Sequence, residues 1–184
     1  TYGAPHVSIA AEPDMVEQTI ILDGFSKTYA MTGWRLGYGI FPGDLAQRIA
    51  LLMTNSNSCT ATFSQLAGVA ALIGPQQPVE AMMAEFAARR DLVIAGLNSI
   101  PGWSCRMPAG AFYAFPNVRA LGAGSRQLAD YFLEHAGVAL LSGNGFGAAG
   151  EGYLRLSYAN SKANLEQAIQ RLSAATEQRA AARL

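Results

Sequence analysis

Apolar positions along the chain fall into short periodic segments separated by turn residues. Thr19-Ile20-Ile21-Leu22 is a β-branched run and reads as a buried strand of a parallel sheet, which needs neighbours on both sides. A turn rich in Gly, Ser and Thr follows. Arg35-Leu-Gly-Tyr-Gly-Ile40-Phe41 then reads as a second strand ending at Pro42-Gly43. Asp44 offers an N-cap for a helix through about Met53, with Leu45, Ile49 and Leu52 on one face. Thr54–Thr60 is small and polar, a loop by composition, and helix resumes from about Phe63 to Ile73, closed by Gly74-Pro75. Pro78 suits the first turn of a longer helix, Val79 to about Ser99, in which Met82, Met83, Phe86, Leu92, Val93 and Leu97 form an apolar stripe.

Beyond Pro101-Gly102 the pattern changes in kind. Trp103–Met107 and Pro108–Pro116 read as two strands around a Pro/Gly turn. A helix is predicted from about Ser125 to His135, a short strand at Val138–Leu141, and a Gly-rich loop at Ser142–Gly147. In the strand Gly152–Tyr158, Tyr153, Arg155 and Ser157 share one face and Leu154 and Leu156 the other. Ser161 caps a final helix to about Thr176, and Arg179–Leu184 is expected to fray. The fold class is therefore α/β: residues 1–76 form part of a mainly parallel-sheet domain, and residues 77–184 form a smaller α+β domain entered through the helix over 79–99. Because Thr1-Tyr-Gly-Ala-Pro-His6 begins as if in mid-domain, the chain is read as the C-terminal part of something longer.

Composition narrows the function classes. About half of the residues are hydrophobic, enough for a sizeable core, and formal charge is balanced with no block of like sign, which leaves no electrostatic footprint for nucleic acid. No apolar run approaches the length that spans a bilayer. Cys59 and Cys105 have no paired spacing, so neither a metal knuckle nor a disulfide framework is expected, and a cytoplasmic setting is the default. With two histidines and no Gly-x-Ser-x-Gly pattern there is no hydrolase triad and no metal site to propose.

Two places carry candidate chemistry. The sequence holds only two lysines, and Lys27 stands at the carboxyl end of a predicted buried strand, where open α/β sheets place ligands. A lysine there would be partly desolvated and near Arg35, a setting suited to a Schiff-base nucleophile or a general base. Ser26 and Arg35 would supply a hydroxyl and a guanidinium fork for a phosphate. Together they point to a cofactor with both an aldehyde and a phosphate. Arg155, in mid-strand between two leucines, is either a solvated residue of an edge strand or a fork for a substrate carboxylate. Gly143-Asn-Gly145-Phe-Gly147 fits no dinucleotide or P-loop spacing and reads as a plain loop.

Ser26-Lys27-Thr-Tyr-Ala-Met-Thr-Gly33-Trp34-Arg35-Leu-Gly-Tyr resembles the lysine segment of the class I/II pyridoxal-phosphate-dependent aminotransferases. The resemblance extends in family order through Gly110-Ala-Phe-Tyr, Gly137-Val-Ala and Phe146-Gly147 to Tyr153-Leu-Arg155-Leu-Ser-Tyr158. It implies a fold-type-I arrangement, pyridoxal 5′-phosphate held as a Schiff base by Lys27, a phosphate contact from Arg35 with Ser26 a lesser one, and Arg155 on the α-carboxylate. Amino acids and 2-oxo acids would be the substrates and a homodimer the assembly. Gly24 stands where many members carry a further phosphate-binding hydroxyl. The family's ring-nitrogen Asp and ring-hydroxyl Tyr and Asn lie upstream of the lysine segment, so this stretch alone is expected to be inactive. Two other readings stay open: a C–S or other lyase sharing the lysine motif, and a cofactor-binding regulatory domain of a larger transcription factor.

Overall fold

A computed structural model describes residues 1–182. The chain divides into two compact units, one of Pro5–Ala81 and one of Thr1–Ala4 together with the chain from Met82 onward.

In the first unit, strand β1 (Ile21–Gly24) pairs with β2 (Gly37–Ile40), with Ile21 opposite Ile40 and Gly24 opposite Gly37. The ladder is antiparallel, which corrects the expectation of a parallel strand. The burial expectation is corrected as well, because Ile20, Leu22 and Ile40 are all exposed. An apolar run signals strand without saying which of its faces is covered. Two helices follow, α1 (Gly43–Asn57) and α2 (Thr62–Ile73). Pro42 rather than Asp44 occupies the N-cap of α1, and the helix runs a turn further than composition suggests. Thr54, Asn55 and Ser56 extend it by bonding their side chains back to the carbonyls of Ala50, Leu51 and Leu52. Buried apolar side chains here are few, Phe25 and Met31 being the clearest, and Gly68 of α2 lets Leu36 and Phe25 approach the helix closely.

The main hydrophobic core lies in the second unit. Helix α3 (Gln77–Ser99) buries Val93, Ile94 and Leu97. Helix α4 (Ser125–Ala136) contributes Leu128 and Phe132, and α5 (Lys162–Ala181) contributes Leu165 and Leu172. Gly96 of α3 faces Ile169 of α5 at a separation that a side chain would close. Ser161 caps α5 by accepting from the Asn164 amide, as its position predicts. The helix continues through Arg179 to Ala181, so that stretch is not frayed, and 183–184 lie outside the described residues.

The sheet beside these helices has the order β3-β5-β4, with β3 (Tyr113–Ala114), β4 (Leu141–Ser142) and β5 (Leu154–Ser157) all antiparallel. The expected hairpin between 103–107 and 108–116 is reduced to one bridge, Ser104 with Asn117, and β3 pairs instead with β5. The predicted strand at Val138–Leu141 is shifted to Leu141–Ser142. Alternation in β5 is as read: Leu154 and Leu156 are buried, whereas Arg155 and Ser157 reach the other face. No described helix is long and apolar enough to cross a membrane.

Candidate functional site

The turn after β1 is built on the hairpin ladder. Phe25 N–H donates to the Leu36 carbonyl at 3.3 Å, which carries the ladder one rung past Gly24 and Gly37. Beyond that rung Arg35 leaves the ladder, its backbone left-handed at the end of the 3₁₀ turn Thr32–Trp34, so Ser26, Lys27 and Arg35 lie in the loop that closes the hairpin. Inside the turn, Tyr29 and Met31 both donate backbone N–H to the Phe25 carbonyl, and Ala30 donates to Lys27. Phe25 is the anchor: it is buried and its ring meets those of Tyr29 and Tyr38, each at 5.6 Å. Ala30 and Arg35 both take left-handed backbone conformations, with φ of 53° and 52°. That conformation is disfavoured for a residue with a Cβ, and such outliers concentrate where a site imposes them.

Lys162, the second lysine, pairs with Glu85 at 3.2 Å. The Lys27 side chain makes no hydrogen bond or ion pair among the described residues, and the residue is exposed. Leu22 and Asp23 of β1 are exposed as well, so among the described residues the expectation of a partly desolvated lysine is corrected. Ser26 is half-buried, and exposed Arg35 donates to the Thr32 carbonyl at 2.9 Å. Beside the turn, Tyr38 donates to Asp23 at 3.2 Å; partial burial, and then the Asp23 charge, push its phenol above the ordinary value.

Arg155 belongs to the second unit and sits in the central strand of the sheet, not on an edge. Tyr113 is paired with Ser157, so it is the diagonal neighbour of Arg155 on the same face. Its ring centroid lies 4.4 Å from the guanidinium carbon, and the Phe146 ring lies at the same distance. Tyr113 and Phe146 both lie in stretches that carry the resemblance, but the sequence assigns neither a role, because their meeting with Arg155 depends on pairing between distant segments.

The loop that carries Phe146 is tied down at several points. It forms a 3₁₀ turn over Gly143–Phe146, with Gly143 N–H donating to the Tyr153 carbonyl. Asn144 donates to Glu151 at 3.0 Å, and the other Glu151 oxygen accepts from the Ser125 amide at 2.7 Å, capping α4 from outside the helix. Arg119 donates twice to the Glu151 carbonyl. The Ser125 amide above all, with the Ser125 hydroxyl and the Asn144 amide, holds the Glu151 carboxyl below its ordinary value of 4.5. A carboxylate depressed in the folded state stabilises it above that ordinary value, and the contribution is lost as pH falls through the folded value. Thermal melts of the wild type and of Glu151→Gln are therefore expected to differ at neutral pH and to converge below pH 4.5. A gap that stays constant across that window would contradict the role of the charge.

Among the described residues no cluster of His, Cys, Asp and Glu is placed to hold a metal ion. The donors on display are of another kind: an unpaired amine, a hydroxyl and a guanidinium on one turn, and a second guanidinium flanked by rings. A primary amine beside anion donors suits an aldehyde that carries a phosphate.

Comparison with known proteins shows the family. The sequence pattern of the family described as aminotransferase class I and II matches residues 1–172. An aspartate aminotransferase of Geobacillus stearothermophilus is 44% identical over 98% of the chain and 47% of its own length. Aromatic-amino-acid aminotransferase 2 of Thermococcus litoralis is 40% identical over 92% of the chain and 44% of its own length. The crystal structure of an aromatic aminotransferase from Pyrococcus horikoshii OT3 superposes with a TM-score of 0.92 at 41% identity, over 96% of the chain and 48% of that structure. The chain thus spans about half the length of the curated relatives it matches.

Proposed function

The chain belongs to the class I and II aminotransferase family, and on that premise we propose that the protein carrying it transfers an amino group between an amino acid and a 2-oxo acid, with pyridoxal 5′-phosphate as cofactor. When bound, that cofactor supplies an aldehyde that condenses with amines and a conjugated ring that withdraws electrons. Lys27 is the amine that anchors it, and afterwards the base that moves a proton at the substrate Cα. Arg35 and Ser26 donate to the phosphate, Arg35 from the end of the turn where its backbone is left-handed. Arg155 presents its N–H fork to the substrate carboxylate.

The observation that supports this reading is the loop closing the β1–β2 hairpin, which carries Ser26, Arg35 and a Lys27 side chain without a partner among the described residues. Residues 1–76 are proposed as part of the cofactor domain and 77–184 as the small domain. A homodimer is part of the proposal. Exposed Phe63, Leu66, Val69 and Leu72 on α2 offer apolar surface of the kind that permanent interfaces bury. By itself the chain is proposed to be inactive, since an exposed lysine has nothing that fixes its amine against a substrate.

The test is chemical. The full-length protein is incubated with pyridoxal phosphate, reduced with borohydride and digested, and the modified peptide is mapped. The expected adduct lies on the peptide containing Lys27. An adduct confined to Lys162 or to the amino terminus would overturn the assignment.

A further inference from the structure

We propose that Tyr113 and Phe146 are positioning residues that clamp the Arg155 guanidinium between two aromatic rings, orienting its N–H fork for a carboxylate. The proposal rests on the transamination reading and extends it to residues that do not themselves bind substrate. Both ring centroids lie 4.4 Å from the guanidinium carbon, well inside cation–π range. The rings make no contact with each other, although each contacts a further ring, Phe112 in one case and Phe115 in the other. The two rings therefore reach the cation from different directions.

The geometry leaves the edges of the guanidinium free. No hydrogen bond or ion pair among the described residues engages the Arg155 side chain, and none of its guanidinium nitrogens is sealed from solvent. A guanidinium held against two rings while its N–H groups stay unpaired keeps those donors available to a bidentate carboxylate. Holding it there beforehand reduces the rotamer freedom lost when the ligand arrives.

Each clamp has its own support. Ahead of Tyr113, Ala111 takes a left-handed φ of 61°, and its carbonyl accepts hydroxyl bonds from Tyr2 at 2.6 Å and from Tyr158 at 3.0 Å. Tyr158 is fully buried and its amide donates to the Phe112 carbonyl, which sets the course of the backbone into β3. Phe146 meets Phe115 edge-to-face at 6.2 Å and stands on the loop tied through Asn144 to Glu151.

The test uses the full-length protein with Tyr113→Leu, Phe146→Leu, the ring-retaining Tyr113→Phe and Phe146→Tyr, and Arg155→Ala as reference. A further variant carries pentafluorophenylalanine at position 146, which keeps the ring's shape while reversing the charge of its face. Two readouts are taken: the dissociation constant of propionate by calorimetry, and KM and kcat for an amino acid beside the amine that lacks its carboxylate. Loss of either ring, or fluorination, is expected to weaken propionate and raise the amino-acid KM roughly three- to thirty-fold. Values of kcat and of KM for the amine should stay put, and the ring-retaining variants should match wild type. Equal changes for amine and amino acid, or unchanged propionate binding in both leucine variants and the fluorinated one, would overturn the clamp. If Arg155→Ala alone weakens propionate, the clamp fails while the carboxylate assignment stands. Unchanged binding in Arg155→Ala would remove the assignment beneath it as well.

Discussion

Lys27→Ala in the full-length protein is expected to lower kcat for amino transfer by about a thousandfold or more, the scale set by removing a positioned acid–base group together with a nucleophile. The fold should not register the change. Lys27 is exposed and its side chain has no hydrogen-bond or ion-pair partner among the described residues, so the thermal midpoint should stay within about a degree of wild type. Lys27→Arg sharpens the prediction. It keeps the positive charge and much of the length, but a guanidinium is not deprotonated in proteins and cannot act as base or amine nucleophile. Both variants should therefore be equally inactive. An arginine variant with substantial activity would mean that position 27 supplies only charge, and the proposed chemistry would have to move to another amine.

Gly143→Ala is expected to destabilise the C-terminal unit by about 3 kcal/mol, at the upper end for overpacking a close-fitting site. Gly143 and Gly150 are both buried, and each stands where the other's carbonyl oxygen would collide with an added Cβ. On the Gly143 side such a Cβ would also fall 2.6 Å from the Tyr153 carbonyl oxygen and 2.9 Å from the Tyr153 Cβ. Backbone on both sides cannot swing away as a flexible side chain can. Gly145, in the same loop, is the internal control, since nothing lies within 4 Å of its would-be Cβ. Urea unfolding of Gly143→Ala, Gly145→Ala and wild type compares them directly. The expected order places Gly145→Ala within about 0.5 kcal/mol of wild type. Equal behaviour of the two variants would show that the loop yields where the geometry says it does not.

That pair of glycines also shows how a sequence feature changes meaning once its neighbours are known. Gly143-Asn-Gly145-Phe-Gly147 matches no phosphate-binding spacing, and loop composition is all that can be read from it. In the folded chain its first glycine permits a close backbone approach, and its phenylalanine reaches Arg155. Neither fact has a local signature.

What the sequence determined by itself is local or chemical. Periodicity located α3, α4 and α5 to within a few residues, because an amphipathic stripe is a property of one segment and its own turn-by-turn geometry. The alternation of β5 was legible for the same reason. Lys27, Ser26, Arg35 and Arg155 could be singled out from residue type and from a long, ordered resemblance. Tertiary structure alone decided the pairing. It made β1 and β2 antiparallel, left Ile20 and Leu22 exposed, paired β3 with β5, and set Arg155 between two rings from separate segments. A strand alternates identically whichever neighbour it takes and whichever face is covered. Register and burial are fixed only when distant segments meet, and that information resides in no single stretch of the chain.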